Sequence, residues 1–494
     1  MQFNSYIFIL CFLPVFLILY FLLSKWSVKV GNLFLVAASC LFYLYAGKKM
    51  FLVLCIDIVV NYLFVKGIQK TRDRAKKTML FFGVSANILL LLYVKYLNFF
   101  ITTVDSLTGL TISPRDILVP LGVSFFTFQQ IGYLVDTFHG KTEQNTILDY
   151  ILFVVFFPKI AMGPITKQEM LIPQFHDPEK KKCNPDNLIR GIRMFTLGLA
   201  KKVLLAETFA TAVNYTKYYE LSGMATSMEI LLIAVCYAFE IYFDFSGYTD
   251  MAQGIAKMIG IDLADNFNSP YQALSIRDFW KRWHISLTKF LTEYLYIPLG
   301  GSRKGTVRTY LNTMIVFLVS GLWHGANWTF ILWGALHGGL QILDRIWEKG
   351  WKRIPKVIRW TLTFLALIVL WLLFQADSVA SWWTDLKIFF TSGNFKFHET
   401  IPVAFLIPEV KGAISFFGWL VGASNLAILS AQTTASYIMM AVFFAGSFAI
   451  CLGAKNVTRR SYPNTVWTLI GSALLLVLCI TGLGSESMFV YNNF

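Results

Sequence analysis

Two histidines set among tryptophans are the residues of this chain best suited to chemistry. They lie in Trp280-Lys281-Arg282-Trp283-His284-Ile285-Ser286 and in Ser320-Gly321-Leu322-Trp323-His324-Gly325. Histidine is scarce here, with 6 in 494 residues. His324 closes an otherwise apolar stretch that opens at Thr309. A full charge at membrane depth costs roughly 2.5 kcal/mol or more, so such a group is a functional-site hypothesis by default. A neutral imidazole costs less, and its ordinary pKa of about 6.5 suits proton transfer at neutral pH. His324 reads either as a general base that takes a proton from an acceptor hydroxyl attacking a thioester, or as a buried ring satisfied by a backbone carbonyl. Gly321 and Gly325 permit close backbone approach, and Trp323 and Trp328 supply walls.

His284 follows Arg277-Asp278-Phe279-Trp280-Lys281-Arg282. An interfacial amphipathic helix accounts for the tryptophans and for Lys281 and Arg282. It accounts less well for Asp278 and His284. In a functional reading His284 supports a developing oxyanion, while Arg277 or Arg282 grips the phosphates of coenzyme A or a phosphopantetheine. Glu240 and Asp244 are four residues apart, which puts both carboxylates on one helix face inside a span. They read as cavity wall or as a structural ion pair between helices. Asp278, Trp280, Trp283 and Trp323 complete the candidate donor- and substrate-binding set with Arg277, Arg282, Glu240 and Asp244. His337 is thirteen residues past His324, about 20 Å along one unbroken helix, so it joins the same site only if the chain breaks. His139, His176 and His398 read as solvated or structural.

The elements that must position these groups are membrane helices. Apolar residues make up 56% of the chain and charged residues 14%, against about 25% charge in a soluble domain. Runs long enough to cross a core of about 30 Å predict spans near 6–24, 30–46, 51–66, 78–94, 147–163, 191–212, 228–249, 309–323, 326–345, 357–375, 436–453 and 464–483, with a further apolar stretch at 412–430. The expected architecture is an all-α polytopic membrane protein of about eleven to thirteen spans with re-entrant or interfacial helices. Residues 6–24 carry neither a basic leader nor a small-residue cleavage site, so they are expected as a mature helix. The 164–190 stretch reads as a cytoplasmic loop with a short interfacial helix.

The chain is expected as one membrane domain, 1–494. Residues 1–98 and 357–494 hold mostly clean spans. Residues 115–345 mix apolar runs with Gly, Pro, charge and aromatic residues. Irregular backbone at membrane depth is tolerated only inside protein or beside a watery cavity, so the cavity is expected in this middle region.

The formal net charge of +15 does not point to nucleic acid. The cations cluster in short connections: Lys66 to Lys77, Lys180 to Lys182, Lys349 to Arg359, and Lys455 with Arg459 and Arg460. That is the positive-inside pattern, and with the 66–77 loop cytoplasmic the N-terminus lies outside. The seven cysteines form no C-x-x-C, so neither a disulfide framework nor a zinc site is expected. H-E-x-x-H, G-x-S-x-G, P-loop and dinucleotide motifs are missing, and no metal chemistry is indicated.

The same residues carry a likeness. The chain resembles the membrane-bound O-acyltransferase (MBOAT) family, and within it the bacterial alginate and peptidoglycan O-acetyltransferases. The matching stretches are Phe3-Asn4-Ser5-Tyr6, the run Pro120 to Gln130, Phe157-Pro158-Lys159 with Gly163-Pro164-Ile165, the run Asp244 to Ala252, Arg277 to Ser286, Ile297 to Gly301, and Gly321 to Gly325. One departure is His139, where relatives usually carry Arg. The resemblance implies a ring of helices around a central tunnel, with His324 as catalytic base and His284 at the second active-site position. It implies O-acetylation of an extracytoplasmic polysaccharide at a bacterial inner membrane. Acetyl-CoA or a carrier-protein thioester would be the donor substrate, with no permanently bound cofactor. An SGNH-type esterase partner and an acyl carrier protein are the proteins such an enzyme would meet. Two rivals stand beside this reading: D-alanyl transfer to teichoic acid (DltB-like), and a transporter or flippase of a lipid-linked saccharide, which would often show inverted repeats.

Overall fold

A computed structural model describes residues 1–142, 144–221, 223–459 and 465–484. Arg460 and residues 485–494 lie outside them. Among the described residues every regular element is helical. Seven helices concern the site: α1 (Val123–Phe138), α2 (Ser227–Met258), α3 (Ile276–Trp280), α4 (Ile285–Leu291), α5 (Thr306–His324), α6 (Trp328–Ile346) and α7 (Lys356–Gln375).

Among the described residues, six helices are long and apolar enough to cross a bilayer: Ile7–Ser24, Lys48–Lys70, Asp73–Thr108, α2, α7 and Asn425–Gly453. Two shorter apolar helices, Val28–Leu44 and Val466–Thr481, add to them. The chain is therefore a multi-pass, all-α membrane protein. The most apolar window of α2 is 83% buried, while those of the other five are 17–50% buried. That difference makes α2 the pillar of the fold and the others its lipid-facing surround.

Sequence explains why α2 can sit so deep. Thr226 and Glu229 form a reciprocal capping box that satisfies its first N–H groups. Its Gly247 and Gly254 face Gly198 and Gly191 of the Pro185–Ala200 helix. A Cβ on Gly198 would come within 2.6 Å of the Gly247 carbonyl, and one on Gly191 within 2.6 Å of that of Gly254. Two backbones touch there, as small residues allow in membrane helices.

Several predicted spans take another form. The 147–163 stretch is not one helix: Ile147–Val155 ends at Phe156, whose ψ of 105° leaves the helical region, and Phe157–Ile160 follows with Pro158 at its start. The 191–212 stretch widens into a π-helix at Lys201–Ala206, where two lysines must reach carboxylates on α2. The apolar stretch 412–430 turns at 421–424, so the next helix starts at Asn425 rather than 436. The 164–190 loop does hold a short helix, Gln168–His176.

Candidate active site

His324 is the last residue of α5 and is 3% exposed. Trp323, Trp333 and Phe374 pack on it with ring centroids 4.9, 5.2 and 5.2 Å away. After it the chain reverses through Gly325–Asn327, and Asn327 caps α6. The two helices lie backbone to backbone: Gly321 abuts the Phe330 carbonyl and Gly334 that of Phe317. This reversal is the break that His337 requires. It lands on α6 with Trp333 4.5 Å away and so shares a neighbour with His324. The Trp280 indole donates to His337 Nδ1 at 3.1 Å.

His284 sits between α3 and α4 in left-handed backbone (φ 43°, ψ 52°), one of three such non-glycine residues described. A bulky side chain in that region is strained, and such strain persists where surrounding structure enforces it. The enforcement is visible. Ile285 N donates to the Asn266 carbonyl and Asn268 N to that of Arg282, both at 2.9 Å. The His284 ring is fully buried against Phe245 (4.8 Å), Trp323 (5.9 Å) and Phe125 (6.5 Å). Neither of its ring nitrogens has a hydrogen-bond partner among the described residues. A buried polar pair left open costs free energy, so it marks a place where another molecule can bind. Trp323 therefore touches both histidines.

The end of α5 is held by residues that sequence reasoning passed over. Lys95 Nζ donates to the Trp323 carbonyl (2.8 Å), the His324 carbonyl (2.9 Å) and Ser124 Oγ (3.4 Å). The Tyr96 hydroxyl donates to the Leu322 carbonyl. Both belong to a π-helical turn, Leu92–Tyr96, within the Asp73–Thr108 helix. Three carbonyls at a helix C-terminus thus meet donors, one of them cationic, as its dipole favours. The signal was available: Lys95 directly follows the apolar run ending at Val94, and a lone intramembrane lysine asks for a function.

A cavity of about 260 Å³ lies between α3, α4, α5 and α6. Arg277, Lys281 and Arg345 put cations on its wall, and Trp280, Phe317 and Ser320 line it on the side of the histidines. Ser320 is four residues before His324 and so on the same face of α5. Neither His284 nor His324 lines the cavity. Trp280 meets Phe317 at 5.2 Å and Trp333 at 5.7 Å, so an aromatic partition separates cavity from imidazole. No passage to His324 opens from this cavity in this conformation.

The remaining predicted residues separate into four groups. Arg277 joins Glu348 at 2.9 Å while remaining on the cavity wall. Lys352 and Arg277 together hold the Glu348 carboxyl down to about 2. Arg282 does not reach the cavity: Asp278 holds it at 2.8 Å, and Asp278 also accepts from Leu274 N, so that pair shapes the α3 turn. Trp283 is core, packed on Phe279 and Trp371. Glu240 and Asp244 line a different cavity, with Asp244 paired to Lys202 at 2.8 Å. They belong to neither the cationic pocket nor the histidine cluster, because Phe245 is the residue that α2 turns toward His284.

Residues 139–383 match the MBOAT, membrane-bound O-acyltransferase family. A peptidoglycan O-acetyltransferase of Helicobacter pylori is 38% identical over 411 residues, covering 77% of this chain and 78% of the relative. This chain belongs to the membrane-bound O-acyltransferase family. A probable alginate O-acetylase AlgI of Pseudomonas aeruginosa is 35% identical over 439 residues, covering 84% and 82%. A teichoic acid D-alanyltransferase of Bacillus subtilis is 27% identical over 330 residues, covering 64% and 81%. The chain is thus an acyltransferase, more similar to the two O-acetylating relatives than to the D-alanylating one. Family membership sets the transporter reading aside. The matched region contains both histidines, the cationic cavity and α2.

Proposed function

We propose that this enzyme takes an acetyl group from a thioester at the cytoplasmic face of a bacterial inner membrane and delivers it for O-acetylation of an extracytoplasmic polysaccharide. The observation that carries the reading is His284: a fully buried imidazole in strained backbone, with both nitrogens unpartnered, against the indole that His324 also touches. The basic connections face the cytoplasm and the N-terminus lies outside. The whole chain acts as one membrane domain.

The donor, acetyl-CoA or a carrier-protein thioester, enters the cationic cavity with phosphates toward Arg277, Lys281 and Arg345. Its acyl end reaches Ser320, and Trp280 and Phe317 swing aside to admit it. His324 removes the proton from the acceptor hydroxyl as that oxygen attacks the thioester carbonyl. His284 donates to the oxyanion of the tetrahedral intermediate. Collapse expels the thiolate, which takes the proton back from His324. Holding both substrates in a dry passage supplies effective molarity, about 7–11 kcal/mol of the barrier. The acetyl acceptor is the polymer itself or an SGNH-type partner that completes the transfer.

The test is His324→Ala in membranes of the producing cell. Acetate on the surface polymer disappears while the amount of membrane-inserted protein stays constant. Undiminished acetylation would remove His324 from its role as base.

A further inference from the structure

The Glu240 and Asp244 face of α2 opens on a second cavity, of about 820 Å³, on a different face of that helix from the one that meets His284. Its volume falls within the range of small-molecule sites, about 300–1,000 Å³. The walls come from the π-helical turn Lys201–Ala206, the segment 403–409 and the Asn425–Gly453 helix. Four carboxylates, Glu207, Glu240, Asp244 and Glu409, stand on this lining against one lysine, Lys202. Lys202 lies 2.8 Å from Asp244 and 3.9 Å from Glu207. Glu240 makes no hydrogen bond or close ion pair among the described residues, and the one lysine whose charge acts on it, Lys202, is shared with Asp244 and Glu207. Ser447, fully buried, turns a hydroxyl without a partner onto the same lining.

An ionised carboxylate at this depth needs a cation. A metal ion does not fit, because no three acidic, histidine or cysteine ligands group together among the described residues. The shape suggests a larger cation. Val442, Ile450 and Leu478 form an apolar rim exposed on the lipid-facing surface. The lining thus combines carboxylates and a buried hydroxyl with an apolar rim.

We propose that this cavity binds an amphiphile with a primary ammonium head, which meets Glu240 and the Ser447 hydroxyl while its apolar body lies along Val442, Ile450 and Leu478. An ammonium N–H donates to both oxygens, whereas a trimethylammonium cannot donate at all. The amine is carried either by a membrane lipid or by a soluble alkylamine.

The experiment uses the full chain, delipidated in an uncharged detergent. Native mass spectrometry and thermal unfolding follow the addition of phosphatidylethanolamine, phosphatidylcholine, phosphatidylglycerol, dodecylamine or dodecanol. Phosphatidylethanolamine binds about tenfold tighter than phosphatidylcholine, a factor one charge-assisted hydrogen bond supplies. Dodecylamine binding over dodecanol without that lipid preference assigns the site to a soluble amine. Glu240→Gln abolishes the preference. Gly446→Leu is the second variant, since a Cβ at Gly446 meets nothing within 4 Å and the leucine enters the cavity without disturbing a charge. Equal binding of all five additives, or an undiminished amine preference in Gly446→Leu, overturns the proposal.

Discussion

Replacing Lys95 by methionine removes the donor that closes α5. Two charge-assisted hydrogen bonds, at 2.8 and 2.9 Å, are lost with it. Each is worth about 1.5–3 kcal/mol, so the gross loss is about 3–6 kcal/mol. Methionine also removes the cost of burying an ammonium, which offsets part of that. We expect a net destabilisation of about 2–3 kcal/mol. The catalytic effect is separate and of comparable free energy, about 2.7 kcal/mol for a 10²-fold loss. The lost bonds end on the carbonyls of Trp323 and His324, the residue of the proposed base and its neighbour. A displacement of about 1 Å there costs about 10²-fold in rate. The assay is acetyl transfer from a thioester donor by purified enzyme, with kcat and KM separated, beside thermal unfolding. Lys95→Met loses kcat by about 10²-fold with KM for the donor little changed, because the donor cavity is lined by other residues. Lys95→Arg keeps a cation at the helix terminus and recovers most of the loss. A Lys95→Met enzyme with wild-type kcat refutes the claim that this lysine positions the histidine.

Three further outcomes follow. His284→Ala lowers kcat by about 10²–10³-fold while folding is preserved, the scale of one lost oxyanion donor; a change confined to KM would reassign it to ground-state binding. Gly334→Ala forces a Cβ against the Phe317 carbonyl, so α5 and α6 part; thermal stability and transfer fall together, whereas Gly339→Ala, with open space around its Cβ, leaves both unchanged. Lys181, in the 164–190 loop, is held down to about 8 by burial, so the unfolded chain binds its proton more tightly. The cost of burying that charge is full below pH 8 and fades as pH rises toward about 10.5, so stability climbs across that window. Lys181→Met flattens the climb in thermal unfolding followed against pH.

Class and likeness were legible in the chain itself. Low charge and long apolar runs demand a bilayer, since nothing else buries that surface. The two W-H stretches identified the pair of histidines, because an imidazole among apolar residues is costly enough to need a reason. What the one-dimensional pattern could not hold is which residues meet. Lys95 and His324 are joined only because helices 229 residues apart in sequence cross at one point. The reversal through Gly325–Asn327 brings Trp333, and with it His337 one turn on, beside His324, where spacing along one helix would have kept His337 distant. Glu240 and Asp244 read as members of one donor-binding set with the arginines, yet α2 is buried on nearly all sides, and helical rotation alone decides that Phe245 faces His284 while the carboxylates face another cavity. Composition and periodicity are sums over neighbours in the chain. Contact across a packed membrane core depends on helix rotation and crossing, which tertiary packing alone determines.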